Sequence, residues 1–212
     1  MTLSDLFFVA SVLLVVILAG RSAVSAIRGR MDRARRLARW LGLFVASYAV
    51  LLIAVALALP RSFHEPGERR CFDDWCIVAV SAKAVDNPAE VPCQPGQGSR
   101  GWVALVEVSS AAKGIRQRAR DVRVELEDRK GRHYQPCAAP LTYGSAPRHL
   151  LSDELGPGEA FRVFLPFRLP GGAEPTGLVV HHGEFPRLVI IGDDQSFLHT
   201  PALLRIALEK EQ

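Results

Sequence analysis

The chain has 212 residues, with 26 lysines and arginines against 22 aspartates and glutamates, and a formal net charge of +4. Seven arginines against only Asp5 and Asp32 fall before residue 60, which leaves 19 basic and 20 acidic side chains beyond it. The positive excess is local, and this speaks against nucleic-acid binding by the larger C-terminal part, which would need a basic face of its own.

Leu6–Ala19 is an apolar run of fourteen residues, reaching about residues 3–20 if Ser4 and Asp5 are taken in. At that length a signal-peptide core competes with a membrane span. In a signal peptide, positive charge precedes the apolar run. Here Asp5 precedes it and the arginines follow, so an uncleaved span is expected. The next stretch, Arg21–Arg39, carries all seven arginines, and Val24, Ile27, Met31 and Leu37 keep a partly helical spacing among them. Trp40–Leu59 is then twenty residues without a charge, enough at ~1.5 Å per residue to cross a ~30 Å hydrocarbon core. Trp40 stands where an interfacial aromatic belongs, and Pro60-Arg61 ends the run. Arginine-rich short loops stay cytoplasmic. Residues 1–60 are therefore expected to form a two-span helical hairpin, with spans at about 3–20 and 40–59. The Arg21–Arg39 loop would lie against acidic lipid head groups, and the C-terminal domain would be periplasmic or extracellular.

Residues 61–70, with Pro66 and Gly67, suggest a linker. Beyond it the long apolar runs give way to short alternating ones. Trp75–Lys83 and Trp102–Ser109 are expected strands, separated by the Pro- and Gly-rich loop Asp86–Arg100. Arg120–Asp128 alternates Val122, Val124 and Leu126 with Arg123, Glu125 and Glu127, as a half-buried antiparallel strand does. Arg129-Lys130-Gly131 turns the chain, and Arg132–Gln135 returns it. Further strands are expected at Phe161–Leu169, Gly177–His181, Leu188–Ile191 and Leu203–Leu208. About seven short strands over residues 71–208 indicate a two-sheet antiparallel sandwich, with a closed barrel as competitor.

Cys71, Cys76, Cys93 and Cys137 all lie beyond residue 60, the distribution expected of disulfides in an oxidising compartment. Four cysteines allow three pairings, among which the sequence does not choose. The working expectation is Cys71–Cys76 across the Phe72–Trp75 turn, with Cys93–Cys137 contributing about 3–4 kcal/mol by closing a long loop. A four-thiolate zinc site is the alternative, but no Cys-x-x-Cys unit is present. The other cluster with metal-ligand chemistry is His181, His182, Asp193, Asp194 and His199. Adjacent strand residues point to opposite faces, so His181 and His182 do not readily share one ion. Asp193, Ser196 and His199 have the residue types of a hydrolytic triad without a nucleophile elbow. Asp73-Asp74 fits a capped turn better than an acid–base pair. Gly96-Gln97-Gly98 is followed by no helix pattern, so no phosphate-cradling loop is expected, nor any cofactor.

Phe72-Asp73-Asp74-Trp75, the strand Val103–Val108, the Asp-x-x-Gly-x-x-Tyr hairpin of Asp128, Gly131 and Tyr134, and the closing Phe185–Leu188 and Ser196–His199 carry a further signal. Together they resemble a bacterial family of immunoglobulin-like domains of unknown function, found on surface lipoproteins, membrane-tethered proteins and a secreted immunoprotective antigen. The resemblance covers about residues 70–205. It implies an extracytoplasmic immunoglobulin-like sandwich without established catalytic residues. The expected protein is a membrane-anchored binding module, meeting a protein partner at the cell surface through Asp86–Arg100 or Leu141–Gly158, or within the membrane through its helices. A metal-dependent or hydrolytic enzyme built on His181 or His182, Asp193 and His199 is the alternative.

Overall fold

The structure is a computed structural model, and it describes residues 3–72, 74–85, 98–119, 121–137, 149–182, 187–193 and 195–209. The chain forms two compact units. One comprises Met1–Arg61 with Glu184–Thr200, the other Ser62–Gly183 with Pro201–Gln212.

The first unit contains α1 (Leu3–Ile27) and α2 (Met31–Ala58), packed as an antiparallel hairpin. Phe7 stacks on Tyr48 with ring centroids 6.0 Å apart, and the Ser22 hydroxyl donates to the Ala34 carbonyl at 3.1 Å. Both helices run into the arginine-rich stretch, as its spacing suggests. Between them the chain turns through Gly29, at φ +71°, a left-handed conformation that costs glycine little. Gly29 N donates to Ala26 O, and Arg30 N reaches back to Ser25 O, so two of the helix-end carbonyls are satisfied within the turn. Both helices are long and apolar enough to cross a membrane, and most of their large apolar side chains face outward, exposed.

The second unit is a sandwich of two sheets. Its strands are β1 (Phe63–His64), β2 (Arg69–Phe72), β3 (Trp75–Val85), β4 (Ser99–Ser110), β5 (Arg123–Asp128), β6 (His133–Tyr134), β7 (Ala160–Pro170), β8 (Pro175–His181), β9 (Leu203–Arg205) and β10 (Ala207–Leu208). One sheet has the order β1-β9-β8-β5-β6; the other has β10-β3-β4-β7, with β2 also paired to β3. The pairing is antiparallel except at β1/β9 and β10/β3. Ile77, Ala104, Val106 and Phe167 from one sheet pack against Val124, Leu126, Leu178 and Leu204 from the other, making one core. This is the expected sandwich rather than a closed barrel.

Two details differ from the sequence reading. The segment read as a linker contributes β1 and part of β2, because its residues pair with β9 and β3. Leu188–Ile191 is not a strand: Arg187–Val189 forms a single 3-10 turn. The reason is topological. β8 already pairs with β5 on one side and β9 on the other, so the connection between β8 and β9 finds no ladder beside them. A four-residue apolar run does not distinguish these outcomes by itself.

Candidate functional site

The described surface offers two concentrations of charge, one in each unit. In the helical unit, Gly20, Arg21, Val24, Ser25, Arg28, Arg30 and Arg33 line a cleft of about 280 Å³ at the α1–α2 turn. The turn geometry builds it. The Ser25 hydroxyl is tied back to Arg21 O at 2.8 Å, and Arg30 N to Ser25 O at 2.9 Å, which gathers arginines from both helices around one space. Each of the four arginines carries a planar fork of N–H donors, a geometry that suits anions with several oxygens.

In the sandwich, the hairpin from β5 to β6 is organised by Asp128, which is 2% exposed. Lys130 N and Arg132 N donate to its Oδ1 at 2.8 and 3.0 Å. Arg132 Nε and the Tyr134 hydroxyl donate to Oδ2 at 2.8 and 3.0 Å, and the second Arg132 nitrogen lies 2.7 Å away. Burial alone pushes the carboxyl up, but the donors from Arg132, Tyr134 and Lys130 together outweigh it and hold Asp128 at about 2. Burial, then the bond to Asp128, pushes the Tyr134 hydroxyl up. Gly131 supplies the positive φ of +72° that closes the turn. The Asp-x-x-Gly-x-x-Tyr pattern is thus a folding device: the acid caps the turn that the glycine permits, and the tyrosine locks the return strand.

Beside this network, His133 lies between two carboxylates, Nδ1 2.9 Å from Glu125 and Nε2 3.0 Å from Glu127. His181 Nε2 is 3.9 Å from the same Glu125 oxygen. Only the doubly protonated ring donates to both acids at once; the neutral ring donates to one. Alternation along β5 and pairing with β6 and β8 create this arrangement, and the sequence reading missed it. Glu125 and Glu127 were visible as polar positions, but the strands opposite them were not.

The residues proposed for metal or hydrolytic chemistry have other engagements. His182 stacks on Phe72 and Trp75, with centroids 5.5 and 5.3 Å apart. Asp193 accepts from Gln195 N at 2.8 Å and lies 3.9 Å from Arg187. His199 Nδ1 donates to the Ala56 carbonyl at 3.2 Å, which leaves that nitrogen no role towards Asp193. The Ser196 hydroxyl is buried without a hydrogen-bond partner. No triad relay exists here, and no group of metal-ligating side chains able to hold an ion occurs among the described residues. Asp74 accepts from Gln117 Nε2 at 2.9 Å; Asp73 and Asp194 lie outside the described residues.

Cys71 and Cys76 form the expected disulfide, joining directly opposed residues of β2 and β3. Cys137 is also disulfide-bonded, and it packs beside Val85, Val103 and Phe164. Cys93 lies outside the described residues, as do 86–97 of the Pro-rich loop and 141–148 of the second expected contact segment.

No protein-family model and no curated protein gives a significant match to this chain. Solved structures do. The secreted protein MPT63 from Mycobacterium tuberculosis is 15% identical, with 71% of this chain and 99% of that chain covered and a TM-score of 0.45. An uncharacterized β-sandwich protein from Clostridium difficile 630 is 10% identical, covering 69% of this chain and 96% of its own, at a TM-score of 0.39. The yjhA protein from Bacillus subtilis is 10% identical, with 68% and 98% covered and a TM-score of 0.37.

Proposed function

We propose that this chain is a membrane-anchored binding module whose two helices cross the bilayer and whose disulfide-bonded sandwich meets a protein partner on the outer side. The observation that carries the reading is the exposure of the helices: Trp40 is 63%, Val50 68% and Leu57 70% exposed, and the charges gather at the turn. Each such side chain left in water forgoes about 1.5–3 kcal/mol of burial, whereas acyl chains accept it. Arginines at the turn favour a cytoplasmic loop and hence an outer sandwich. The Cys71–Cys76 bridge fits that compartment. The arginine-lined cleft then meets inner-leaflet head groups, whose phosphate oxygens match its donors. The face bearing Glu125, His133 and His181 offers a partner a carboxylate and imidazoles in fixed positions.

Vesicles of both orientations, made from cells producing the full chain, test this. Protease added outside right-side-out vesicles is expected to remove the sandwich and leave an alkali-resistant helical fragment. Release of the whole chain by alkaline carbonate, or digestion of the sandwich only from inside-out vesicles, overturns it.

A further inference from the structure

The segment joining β8 to β9 does not belong to the sandwich. It is part of the helical unit, and its contacts there are specific. The Tyr48 hydroxyl donates to Val189 O at 2.7 Å, and His199 Nδ1 donates to Ala56 O at 3.2 Å. Tyr48, Leu52 and Ala56 recur every four residues and so share one stripe of α2. Leu52 and Ala56, bracketed by those two bonds, are among the few buried residues of that helix. A side chain placed at Gly192 would come within 4.0 Å of both Leu59 Cδ1 and Ser4 Oγ, which locates the segment at the α1 N-terminus as well.

This position lies beside the part of α2 that extends past the start of α1. Phe7, near the start of α1, stands level with Tyr48, and α2 continues ~16 Å beyond Tyr48 to Leu59. Over much of that length α2 has the segment beside it, since α1 begins only four residues before Phe7.

Irregular backbone enters a bilayer only if its polar groups are satisfied within protein, and several of the described N–H groups here are bonded within the segment. Ile190 N bonds Arg187 O, Phe197 N bonds Leu188 O, Ser196 N bonds Asp193 O, and His199 N bonds Ser196 O. The charged side chains Arg187 and Asp193 face each other at 3.9 Å and are 21% and 17% exposed. What points outward is apolar: Leu188 at 42%, Phe197 at 49% and Leu198 at 54% exposure. Leu198 holds this outward position with φ at +66°, a conformation that a leucine rarely adopts.

We infer that the described part of the β8–β9 connection, residues 187–193 and 195–199, is a membrane-embedded wedge. It lies in the outer leaflet against α2, with Leu188, Phe197 and Leu198 in contact with lipid acyl chains, beside the part of α2 that extends past α1. The inference rests on the anchoring proposed above, and the apolar surface it describes is continuous with the exposed faces of α1 and α2.

The test is a depth measurement on the full chain in phosphatidylcholine–phosphatidylglycerol vesicles. A nitroxide label is placed singly by Leu188→Cys and Leu198→Cys, with Val50→Cys as helix control and Lys113→Cys as sandwich-surface control. At positions 188 and 198, as at 50, collisions with oxygen are expected to exceed those with a water-soluble nickel chelate, with the reverse at 113. A lipid-like signal at 50 with an aqueous signal at 188 and 198 overturns the wedge and leaves the anchor standing. An aqueous signal at 50 overturns the anchor, and the wedge with it. Labels at 188 and 198 that are immobilised and shielded from both reagents mark a protein contact and also overturn the lipid assignment.

Discussion

Phe167, Leu126 and Leu178 in the sandwich are fully buried, whereas Trp40, Val50 and Leu57 on α2 are mostly exposed, although all are apolar side chains. The sandwich brings two sheets face to face and supplies its own apolar environment. The helical hairpin has two cylinders touching along one line, so most of its apolar surface needs an environment from elsewhere. Polar groups follow the same division. Asp128 gathers its donors inside the sandwich, while arginines of the hairpin turn line an open cleft. The sandwich excludes solvent from its apolar side chains, while the hairpin leaves most of its own uncovered.

Substitutions sharpen this contrast. Phe167→Ala is expected to cost about 3–5 kcal/mol by leaving a cavity between the sheets, measured by denaturant unfolding of the full chain in detergent. Leu57→Ala, also an apolar truncation, is expected to change the same transition by less than about 0.5 kcal/mol because its site is exposed. Equal costs at the two positions would break the comparison.

Asp128→Ala is expected to remove about 3 kcal/mol, since it leaves several donors at a buried site unmatched. The wild-type carboxyl is held at about 2 in the folded chain, against about 3.9 when unfolded. A depressed folded value contributes stability that is complete above the unfolded value and is lost as pH falls towards the folded one. Acid titration of the wild type from about pH 4 to pH 2 should show this loss, and Asp128→Ala should lack it. Reduction of Cys71–Cys76 closes off a smaller effect, about 2 kcal/mol for so short a loop under the chain-entropy model, read as a shift of the unfolding midpoint between oxidised chain and the Cys71→Ser/Cys76→Ser variant. Tyr48→Phe is expected to cost less than the bridge, about 1 kcal/mol for one hydrogen bond. It is seen as faster hydrogen exchange at the amides of Ile190 and Phe197, with no change in the sandwich.

Much of this division is legible along the chain. Alternation of Val122, Val124 and Leu126 with charged neighbours marks β5, and Trp40–Leu59 is too long and apolar for anything but a helix of membrane-crossing length. The turn at Gly131 and the role of Asp128 in it are foreshadowed by local spacing, because an acid caps a turn within a few residues of itself. The Cys71–Cys76 bridge is similarly local. The carboxylate–histidine face was not legible, because Glu125 and Glu127 meet His133 and His181 across strands whose register is set by the whole sheet.

The β8–β9 connection shows most sharply what the linear order leaves open. Its residues alone say only that a short apolar stretch is followed by Gly192-Asp193, and a strand is the natural expectation. Tertiary structure decided otherwise, since β9 had already taken the place beside β8. Short-range periodicity determined the two apolar helices, the strands and the turn chemistry, because those depend on neighbours a few residues away. Assignment of residues 187–200 to the helical unit depends on which surfaces remain uncovered after both units have folded, and only tertiary structure decided that.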